Sequence, residues 1–257
     1  MSGYGELTVE VDGGSVEVLA WSGDTSLAPV VLLHEGLGSA RLWRTFPVDV
    51  HQSTRRTVIA WSRHGYGFSE PTRRSRAVGY MHDEALVVLP SLLEHLSLTF
   101  PVLVGHSDGA SIALIHAGSG HPVSAVVAIA PHVLVEDRSL VGIEAARERF
   151  DTTDLVKRMG RHHRDPLTTF RGWNDIWLSE QFRTWNIEEF VGHITAPVLA
   201  IQAADDEYGT LEQLSRIKAR LPGRYEELVL SSGGHAPHTS HPQVVLDSIV
   251  AFLEDCA

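Results

Sequence analysis

PVLVGHSDGA, at residues 101–110, is the stretch from which the fold of this chain can be predicted. Its first four residues are apolar and include two valines, which is typical of a buried strand. Residues 110–117, ASIALIHA, are apolar and suit a buried helix. Between them, GHSDG at 105–109 is a G-x-S-x-G pattern in the strand, turn and helix context that this pattern requires. The context favours a nucleophilic Ser107 over an ordinary turn or a serine that caps a helix.

The two glycines of this pattern have a steric explanation. A serine at the tip of such a turn lies in a strained backbone region, and side chains beside it would collide with neighbouring elements. The hydroxyl of Ser107 would then stand clear of the sheet at the start of a helix. There the helix N-terminus and the N–H of Asp108 could stabilise an oxyanion.

Length, composition and charge limit the classes of protein to consider. The chain has 257 residues, of which 43% are hydrophobic, and this fits one α/β domain with room for an insertion. The formal net charge of −11 argues against nucleic acid and against an anionic membrane surface as partners. Because no apolar run reaches the ~18 residues that cross a bilayer, we expect no membrane partner.

The numbers and positions of cysteine and histidine residues bear on the cellular compartment and on metal binding. Cys256 is the single cysteine, which excludes an internal disulfide, and the N-terminus shows no signal-peptide pattern. We therefore expect a cytoplasmic protein. Histidine occurs 15 times, but the pairs at 162/163 and 238/241 lack the additional Cys, His or carboxylate ligands and the helical context of a zinc site. We expect neither a metal nor another cofactor.

Strands alternate with helices along most of the chain. An edge hairpin is predicted first, with strands at 7–11 and 16–20. Further strands are predicted at 29–33, 57–61, 101–104, 123–130, 197–202 and 225–230. Helices are predicted at 41–46, 80–98, 110–117, 210–221 and 243–253, with a slight bend at Pro90. This alternation predicts an α/β fold whose mostly parallel sheet has helices on both faces.

Residues 131–196 interrupt this alternation, because they contain no convincing buried strand. The segment is charged and aromatic, and it includes Trp173, Trp177 and Trp185. We interpret it as a helical insertion that lies over the carboxyl edge of the sheet, where ligands of open α/β sheets bind. Tryptophan in such an insertion more often packs than contacts a substrate. The core would then comprise residues 1–130 and 197–257.

A nucleophilic serine needs a base, and the base needs a third group that orients it. Acidic residues follow the predicted strand 197–202 directly, in the run Asp205-Asp206-Glu207. His235 lies in a glycine-rich loop after the last predicted strand. Both segments belong to the carboxyl edge of the sheet, and the order along the chain is serine, acid, histidine.

The sequence resembles the α/β-hydrolase superfamily over nearly its whole length, in the capped, serine-nucleophile branch that contains esterases and carbon–carbon hydrolases. The segments that carry the resemblance are LLHEGLGSARLW (32–43), SRHGYGFS (62–69), GHSDG (105–109), DDEYG (205–209) and GGHAPH (233–238). The resemblance implies an eight-stranded, mostly parallel sheet with a cap inserted after the sixth strand. Residues 131–196 suit that cap.

By this resemblance Ser107 is the nucleophile, His235 is the general base and acid, and Asp206 orients the histidine. Asp205 is the alternative acid, and otherwise it is a hydrogen-bonded turn residue. His238 is the alternative base, although its neighbours suggest a residue that anchors the loop.

The resemblance also implies an oxyanion hole made by the N–H groups of Gly36 and Asp108. The family commonly has His-Gly-x at this loop, whereas this chain has His34-Glu35-Gly36. The carboxylates of Glu35 and Asp108 would thus lie beside a forming negative charge, which opposes it.

Two interpretations of these carboxylates stay open. Both side chains could turn away and pair with Arg41, Arg63 or His34. Alternatively, one of them is protonated, or it binds a cation or hydroxyl of the substrate. We therefore include Glu35 among the candidate substrate-binding residues.

Two further side chains are candidates for substrate binding. His132 follows the predicted strand 123–130 and would face the pocket, where it contacts the substrate or hydrogen-bonds its own loop. Trp173 belongs to the predicted cap. We assign the Arg63–Gly67 stretch of the SRHGYGFS segment a structural role.

These features predict a serine hydrolase that cleaves a small-molecule carboxylic ester, thioester or lactone through an acyl-enzyme on Ser107. A serine at position 107 argues against epoxide hydrolases and dehalogenases. Those enzymes resemble this chain in fold, but they have an aspartate at the nucleophile position. The alternatives are a carbon–carbon hydrolase of aromatic ring-cleavage products and a ligand-binding member of the fold without turnover. The expected partner is a small acyl substrate, and a homodimer is a family-level expectation.

Overall fold

The computed structural model describes residues 3–72 and 76–256 of the chain. Within them, one sheet of eight strands has the order β1-β2-β4-β3-β5-β6-β7-β8. The strands are β1 (Gly5–Val11), β2 (Gly14–Trp21), β3 (Val30–Leu33), β4 (Val58–Trp61), β5 (Val102–His106), β6 (Ala125–Ile129), β7 (Val198–Ala203) and β8 (Tyr225–Leu230). β2 runs antiparallel to β1 and β4, and all other neighbours are parallel. The predicted eight-stranded, mostly parallel sheet is confirmed.

The central strands explain why the sequence shows continuous apolar runs. Every residue of β3, β4, β5, β6 and β7 is buried, whereas β1 at the edge is mostly exposed. Strands that are covered on both faces have no reason to alternate polar and apolar residues. Parallel strands end at one edge of the sheet, so the segments that follow β3, β5, β6, β7 and β8 meet there.

Helices cover both faces of the sheet, as predicted. The α-helices of the described residues are α1 (Phe46–Thr54), α2 (Tyr80–Asp83), α3 (Leu89–His95), α4 (Asp108–Gly118), α5 (Asp137–Thr152), α6 (Leu155–Met159), α7 (Pro166–Trp177), α8 (Glu188–Val191), α9 (Glu212–Arg220), α10 (Pro237–Ser240) and α11 (Pro242–Glu254). α1 and α11 belong to the apolar core on one face, and α2, α3 and α4 to the core on the other. None of these helices combines the length and apolar character that crossing a membrane requires.

The short helix predicted at 41–46 is only partly confirmed, and the helix that follows it, α1, was not predicted. Ala40–Trp43 forms a 3-10 turn, which ends where Arg44 adopts a positive φ of 55°. α1 begins only at Phe46, with Pro47 in its first turn. Proline suits this position because its missing N–H would have had no partner within the helix.

The helix predicted at 80–98 is present but is shorter and irregular. α2 continues through a π-helical segment, Glu84–Val88, into α3, which ends at His95. The π segment comes just before Pro90, whose ring and missing N–H disturb the regular hydrogen-bond ladder.

The segment between β6 and β7 contains α5, α6, α7, a 3-10 turn (Glu180–Thr184) and α8, and it contributes no strand to the sheet. Its interior is aromatic: Phe150 stacks on Phe170 with ring centroids 3.8 Å apart, and Trp177 packs against Phe182. This helical content agrees with the expected insertion, whose boundaries at 131 and 196 stay a prediction.

α8 rests directly on α4, and this contact leads to a prediction. A Cβ at Gly118 would lie 2.1 Å from the carbonyl oxygen of Phe190, which is backbone and cannot give way cheaply. We expect Gly118→Ala to lower the free energy of unfolding by roughly 1–3 kcal/mol, measured by urea denaturation. Gly79→Ala is the control, because a Cβ there meets nothing within 4 Å. Equal stabilities of the two variants would contradict the close packing of α8 on α4.

Candidate active site

Ser107 lies at a sharp turn between β5 and α4. Its backbone has φ 54° and ψ −118°, and it occupies the N-cap position of α4 without a side-chain capping bond. A Cβ at Gly105 would lie 2.2 Å from the carbonyl oxygen of Gly109, and one at Gly109 would lie 1.9 Å from that of Leu33. Both glycines of the G-x-S-x-G pattern are therefore required sterically. The serine hydroxyl does not cap the helix.

The structure brings Ser107, His235 and Asp206 together in one chain of hydrogen bonds. The Ser107 Oγ lies 2.8 Å from Nε2 of His235. The Nδ1 of the same ring lies 2.9 Å from each carboxylate oxygen of Asp206. The three residues follow β5, β8 and β7, whose carboxyl ends share one edge of the sheet. This geometry allows Nδ1–H to donate to the carboxylate while Nε2 accepts from the serine hydroxyl.

Asp206 is held as a buried carboxylate. One oxygen accepts from Nε2 of Gln202 at 3.0 Å, and the other accepts from the N–H of Tyr208 at 2.8 Å. Burial acts to raise the pKa of Asp206, but the hydrogen bond and charge of His235 outweigh it and lower that pKa below its ordinary value. Asp206 therefore carries its charge at neutral pH.

The opposite balance applies to His235. Burial favours the neutral imidazole, but the hydrogen bond and charge of Asp206 raise the pKa of His235 above its ordinary value. The ring is also fixed through its backbone, because Nε2 of His106 donates to the His235 carbonyl oxygen at 2.6 Å. His235 can thus take up a proton near neutral pH without leaving its position.

The two alternative residues occupy other places. Asp205 accepts from the N–H of Gly234 at 2.9 Å, so it holds the loop rather than the imidazole. His238 packs its ring against Trp43 and Phe46, and burial lowers its pKa to about 4. The structure therefore favours Asp206 and His235 over these alternatives.

The loop after β3 lies beside this hydrogen-bonded chain. The turn at Gly109 packs on the backbone of Leu33, where the loop begins. Among the described residues, no hydrogen bond is donated by the N–H of Gly36. The indole of Trp173 covers this glycine so closely that a Cβ would lie 2.1 Å from its Nε1. A free N–H at Gly36 fits an oxyanion donor, and Trp173 reaches the site from α7.

Glu35 turns back on its own loop. Its Oε2 accepts from the N–H of Leu37 at 2.6 Å, so the partner is none of the three side chains considered from the sequence. Burial raises the pKa of Glu35 to about 7, against the effects of the Leu37 N–H and of the Arg63 charge. Arg41 pairs instead with Glu6 and Glu17.

Asp108 belongs to a buried network that the sequence did not reveal. Its Oδ2 accepts from the Tyr80 hydroxyl at 2.6 Å, and that hydroxyl accepts from Nε1 of Trp177 at 3.0 Å. Asp108 is 1% exposed, and its Oδ1 has no hydrogen-bond partner among the described residues. A tyrosine in a helix gives no local signal for such a contact, because its partners come from distant segments.

Three rings lie near that of His235: the ring of His106, whose centroid is 5.2 Å away, and the rings of His132 and Tyr208. The ring centroid of His132 is 5.7 Å from that of His235 and 5.1 Å from that of Trp177. Burial lowers the pKa of His132 to about 4, so its ring is neutral. The ring centroid of Tyr208 lies 4.7 Å from that of His235. Tyr208 was not among the site residues predicted from the sequence, although its position two residues after Asp206 is a usable signal.

Metal binding has no candidate site in this part of the molecule. Across residues 3–72 and 76–256, no three His, Cys, Asp or Glu side chains are grouped to hold an ion.

The pKa of His235 is raised and that of His238 is lowered, and both shifts can be measured directly. In histidine Cε1–H NMR titrations of the wild type, we expect His235 to titrate above 6.5 and His238 near 4. In Asp206→Asn, which removes the charge but keeps the burial, the pKa of His235 should fall, while that of His116, which burial lowers to about 4 without any contribution from His235, should stay constant. A His235 pKa that is the same in both proteins would contradict the proposed coupling to Asp206.

Comparisons with known proteins identify the family. The model of the alpha/beta hydrolase family matches residues 30–248. Among solved structures, the chain resembles a membrane phospholipase A described as a bacterial virulence factor, with a TM-score of 0.81 and 18% identity over 99% of this chain and 87% of that one. It also resembles a serine hydrolase involved in carbazole degradation, with a TM-score of 0.76 and 18% identity over 98% and 99%.

A third similar structure is naproxen esterase from Bacillus subtilis, with a TM-score of 0.74 and 17% identity over 97% of this chain and 91% of that one. None of the curated proteins compared with the sequence matches it. At such identities the likeness to solved structures shows the fold alone. The family model covers most of the sequence, and the chain therefore belongs to the alpha/beta hydrolase family.

Proposed function

We propose that this chain is a serine hydrolase that cleaves a small-molecule carboxylic ester, thioester or lactone through an acyl-enzyme on Ser107. The observation that carries the proposal is the 2.8 Å contact between the Ser107 Oγ and Nε2 of His235, with Asp206 behind the ring at 2.9 Å. A serine hydroxyl becomes a useful nucleophile only with a base so placed.

Acylation begins when His235 takes the proton of the Ser107 hydroxyl while the Oγ attacks the acyl carbonyl carbon. The carbonyl oxygen becomes the oxyanion of a tetrahedral intermediate. Asp206 keeps the imidazole in the required tautomer and stabilises the imidazolium. When the intermediate collapses, the bond to the leaving group breaks and His235 donates its proton to that group.

The oxyanion is stabilised by two backbone donors, the N–H groups of Gly36 and Asp108. Asp108 is the first residue of α4, so the helix N-terminus adds to the favourable field. Donors fixed before the reaction need no reorganisation as charge develops, which makes this type of stabilisation large.

Deacylation repeats the same steps with water. His235 takes a proton from a water molecule, the hydroxide oxygen attacks the acyl carbon, and the Ser107 Oγ leaves with the proton of the imidazolium. The products are a carboxylic acid and the free enzyme. Ser107, His235, Asp206 and the two backbone donors supply every proton transfer and every charge contact of this cycle.

Three side chains are proposed to face the substrate: Glu35, His132 and Trp173. The neutral ring of His132 offers a hydrogen bond without a charge, and its Nδ1 has no partner among the described residues. Trp173 lies over Gly36 with the Nε1 edge of its indole nearest the glycine, so it would border a substrate held at the proposed oxyanion donor. The single cysteine also favours our expectation of a cytoplasmic enzyme.

Turnover is tested on a panel of p-nitrophenyl esters of increasing acyl length, with thioesters, lactones and a ring-cleavage diketone. We expect wild type to hydrolyse at least one acyl substrate and Ser107→Ala to lose kcat by about 10³-fold or more. Turnover of the diketone alone would assign the carbon–carbon alternative. Stoichiometric binding without turnover would contradict the proposal and favour a ligand-binding role.

The identity of the acid is tested with two matched substitutions. Asp206→Asn removes the charge behind the imidazole, so kcat should fall by about 10³- to 10⁴-fold. Asp205→Asn keeps an oxygen that can accept from Gly234, and we expect its kcat to stay within about threefold of wild type. The reverse ranking would show that Asp205 is the acid.

A further inference from the structure

Arg63, in the SRHGYGFS segment, is far more buried than a structural loop residue needs to be. It follows β4 by two residues and is 1% exposed. Its Nη2 donates to the backbone carbonyl oxygen of Glu35 at 3.0 Å. Among the described residues, its Nε and Nη1 have no hydrogen-bond partner. A buried guanidinium needs compensating partners, and besides this carbonyl the structure gives Arg63 the face of Tyr66, whose ring centroid lies 4.7 Å from Cζ, and the nearby Asp108.

The carbonyl that Arg63 binds belongs to the peptide of the proposed oxyanion donor. The C=O of Glu35 and the N–H of Gly36 are the two ends of one planar, trans peptide group. Fixing the direction of the oxygen therefore fixes the direction of the N–H. Because the Gly36 N–H donates to no described residue, it is free to meet the substrate.

Three donors converge on this oxygen. Nδ1–H of His34 donates at 2.7 Å and the N–H of Gly38 at 3.1 Å, beside Nη2 of Arg63 at 3.0 Å. The tautomer of His34 follows from its other nitrogen, since Nε2 accepts from the backbone N–H of Arg63 at 3.1 Å. Arg63 thus holds the peptide with its guanidinium and orients His34 with its backbone.

Charge adds to orientation. A cation bonded to a peptide oxygen draws electron density toward that oxygen and makes the N–H of the same peptide a stronger donor. The positive charge of Arg63 also opposes the negative charges of Glu35 and Asp108 near the oxyanion. Arg63 would thus offset the negative charge that Glu35 brings close to the oxyanion at a position where the family commonly has glycine.

We propose that Arg63 is a positioning residue that orients and polarises the Glu35–Gly36 peptide for oxyanion stabilisation. The inference rests on the proposed function, because it requires a negatively charged tetrahedral intermediate at Ser107.

The experiment compares Arg63→Met and Arg63→Gln with wild type. The kinetic readouts are kcat and KM for the best ester and Ki for an aryl trifluoromethyl ketone, whose hemiketal with Ser107 carries the oxyanion. Arg56→Met is the matched control, because Arg56 is also buried, at 7% exposure, and donates from Nη1 to the Ala28 carbonyl oxygen at 2.9 Å. Thermal midpoints report folding, and Arg63→Lys tests rescue by a cation.

The donor is weakened rather than removed, so we expect kcat to fall by about 10- to 100-fold in Arg63→Met. KM should stay within about threefold, and Ki should rise by the same factor by which kcat falls. Arg63→Lys should recover part of the loss, and Arg56→Met should stay within about twofold of wild type in both kcat and Ki.

Several results would overturn the inference. A folded Arg63→Met protein with unchanged kcat and Ki would do so, and so would a fall in kcat with unchanged Ki. If the methionine variant does not fold, the glutamine variant decides by the same criteria. If neither folds while Arg56→Met does, Arg63 serves stability alone and the inference is wrong. A wild type that neither turns over esters nor binds the ketone refutes the proposed function itself, and the inference with it.

Discussion

Ser107 occupies a positive-φ backbone conformation, at 54°, that costs a residue with a side chain about 1–3 kcal/mol. Such a conformation persists only where the surroundings determine it. Here the N–H of Ser107 donates to Ile129 at 2.9 Å, and its carbonyl oxygen accepts from Ala110 at 2.9 Å. Both peptide groups are thus fixed, one by the neighbouring strand and one by the first turn of α4.

The strained turn sets the rest of the site. It points the Oγ of Ser107 toward His235 rather than into α4, and it leaves the N–H of Asp108 at the helix start. It also brings Gly109 against the backbone of Leu33, which places the loop containing Gly36 next to the serine. The direction of the Ser107 hydroxyl and the placing of the proposed oxyanion donors therefore follow from one backbone conformation at the carboxyl edge of the sheet.

The electrostatic balance of the site separates its carboxylates by role. Asp206 accepts several hydrogen bonds and stays ionised behind the imidazole. Asp108 accepts from Tyr80, and Glu35 accepts from the N–H of Leu37. The buried guanidinium of Arg63 donates to the carbonyl oxygen of Glu35 in the loop after β3. In the proposed mechanism, the helix N-terminus and this cation favour the developing oxyanion, which the Asp108 carboxylate and the ionised fraction of Glu35 oppose.

The sequence predicted what depends on local pattern. Short contiguous segments are enough to predict the strands, the turn at Ser107 and the order of serine, acid and histidine. In a parallel sheet the carboxyl ends of the strands lie at one edge, which brings these segments together. α1 and the π segment before Pro90 were missed because helix boundaries depend on packing and on single prolines. The contact of Tyr80 with Asp108 joins segments 28 residues apart and has no signature within either segment.

The central claim is that Ser107 is activated by His235, and a fluorophosphonate tests it most directly. Wild type and Ser107→Ala are incubated side by side with the reagent, and the intact masses are recorded. A single adduct on the wild type that is absent from the variant is the predicted result. A folded wild type that acquires no adduct, or an adduct of equal yield on Ser107→Ala, would contradict the claim.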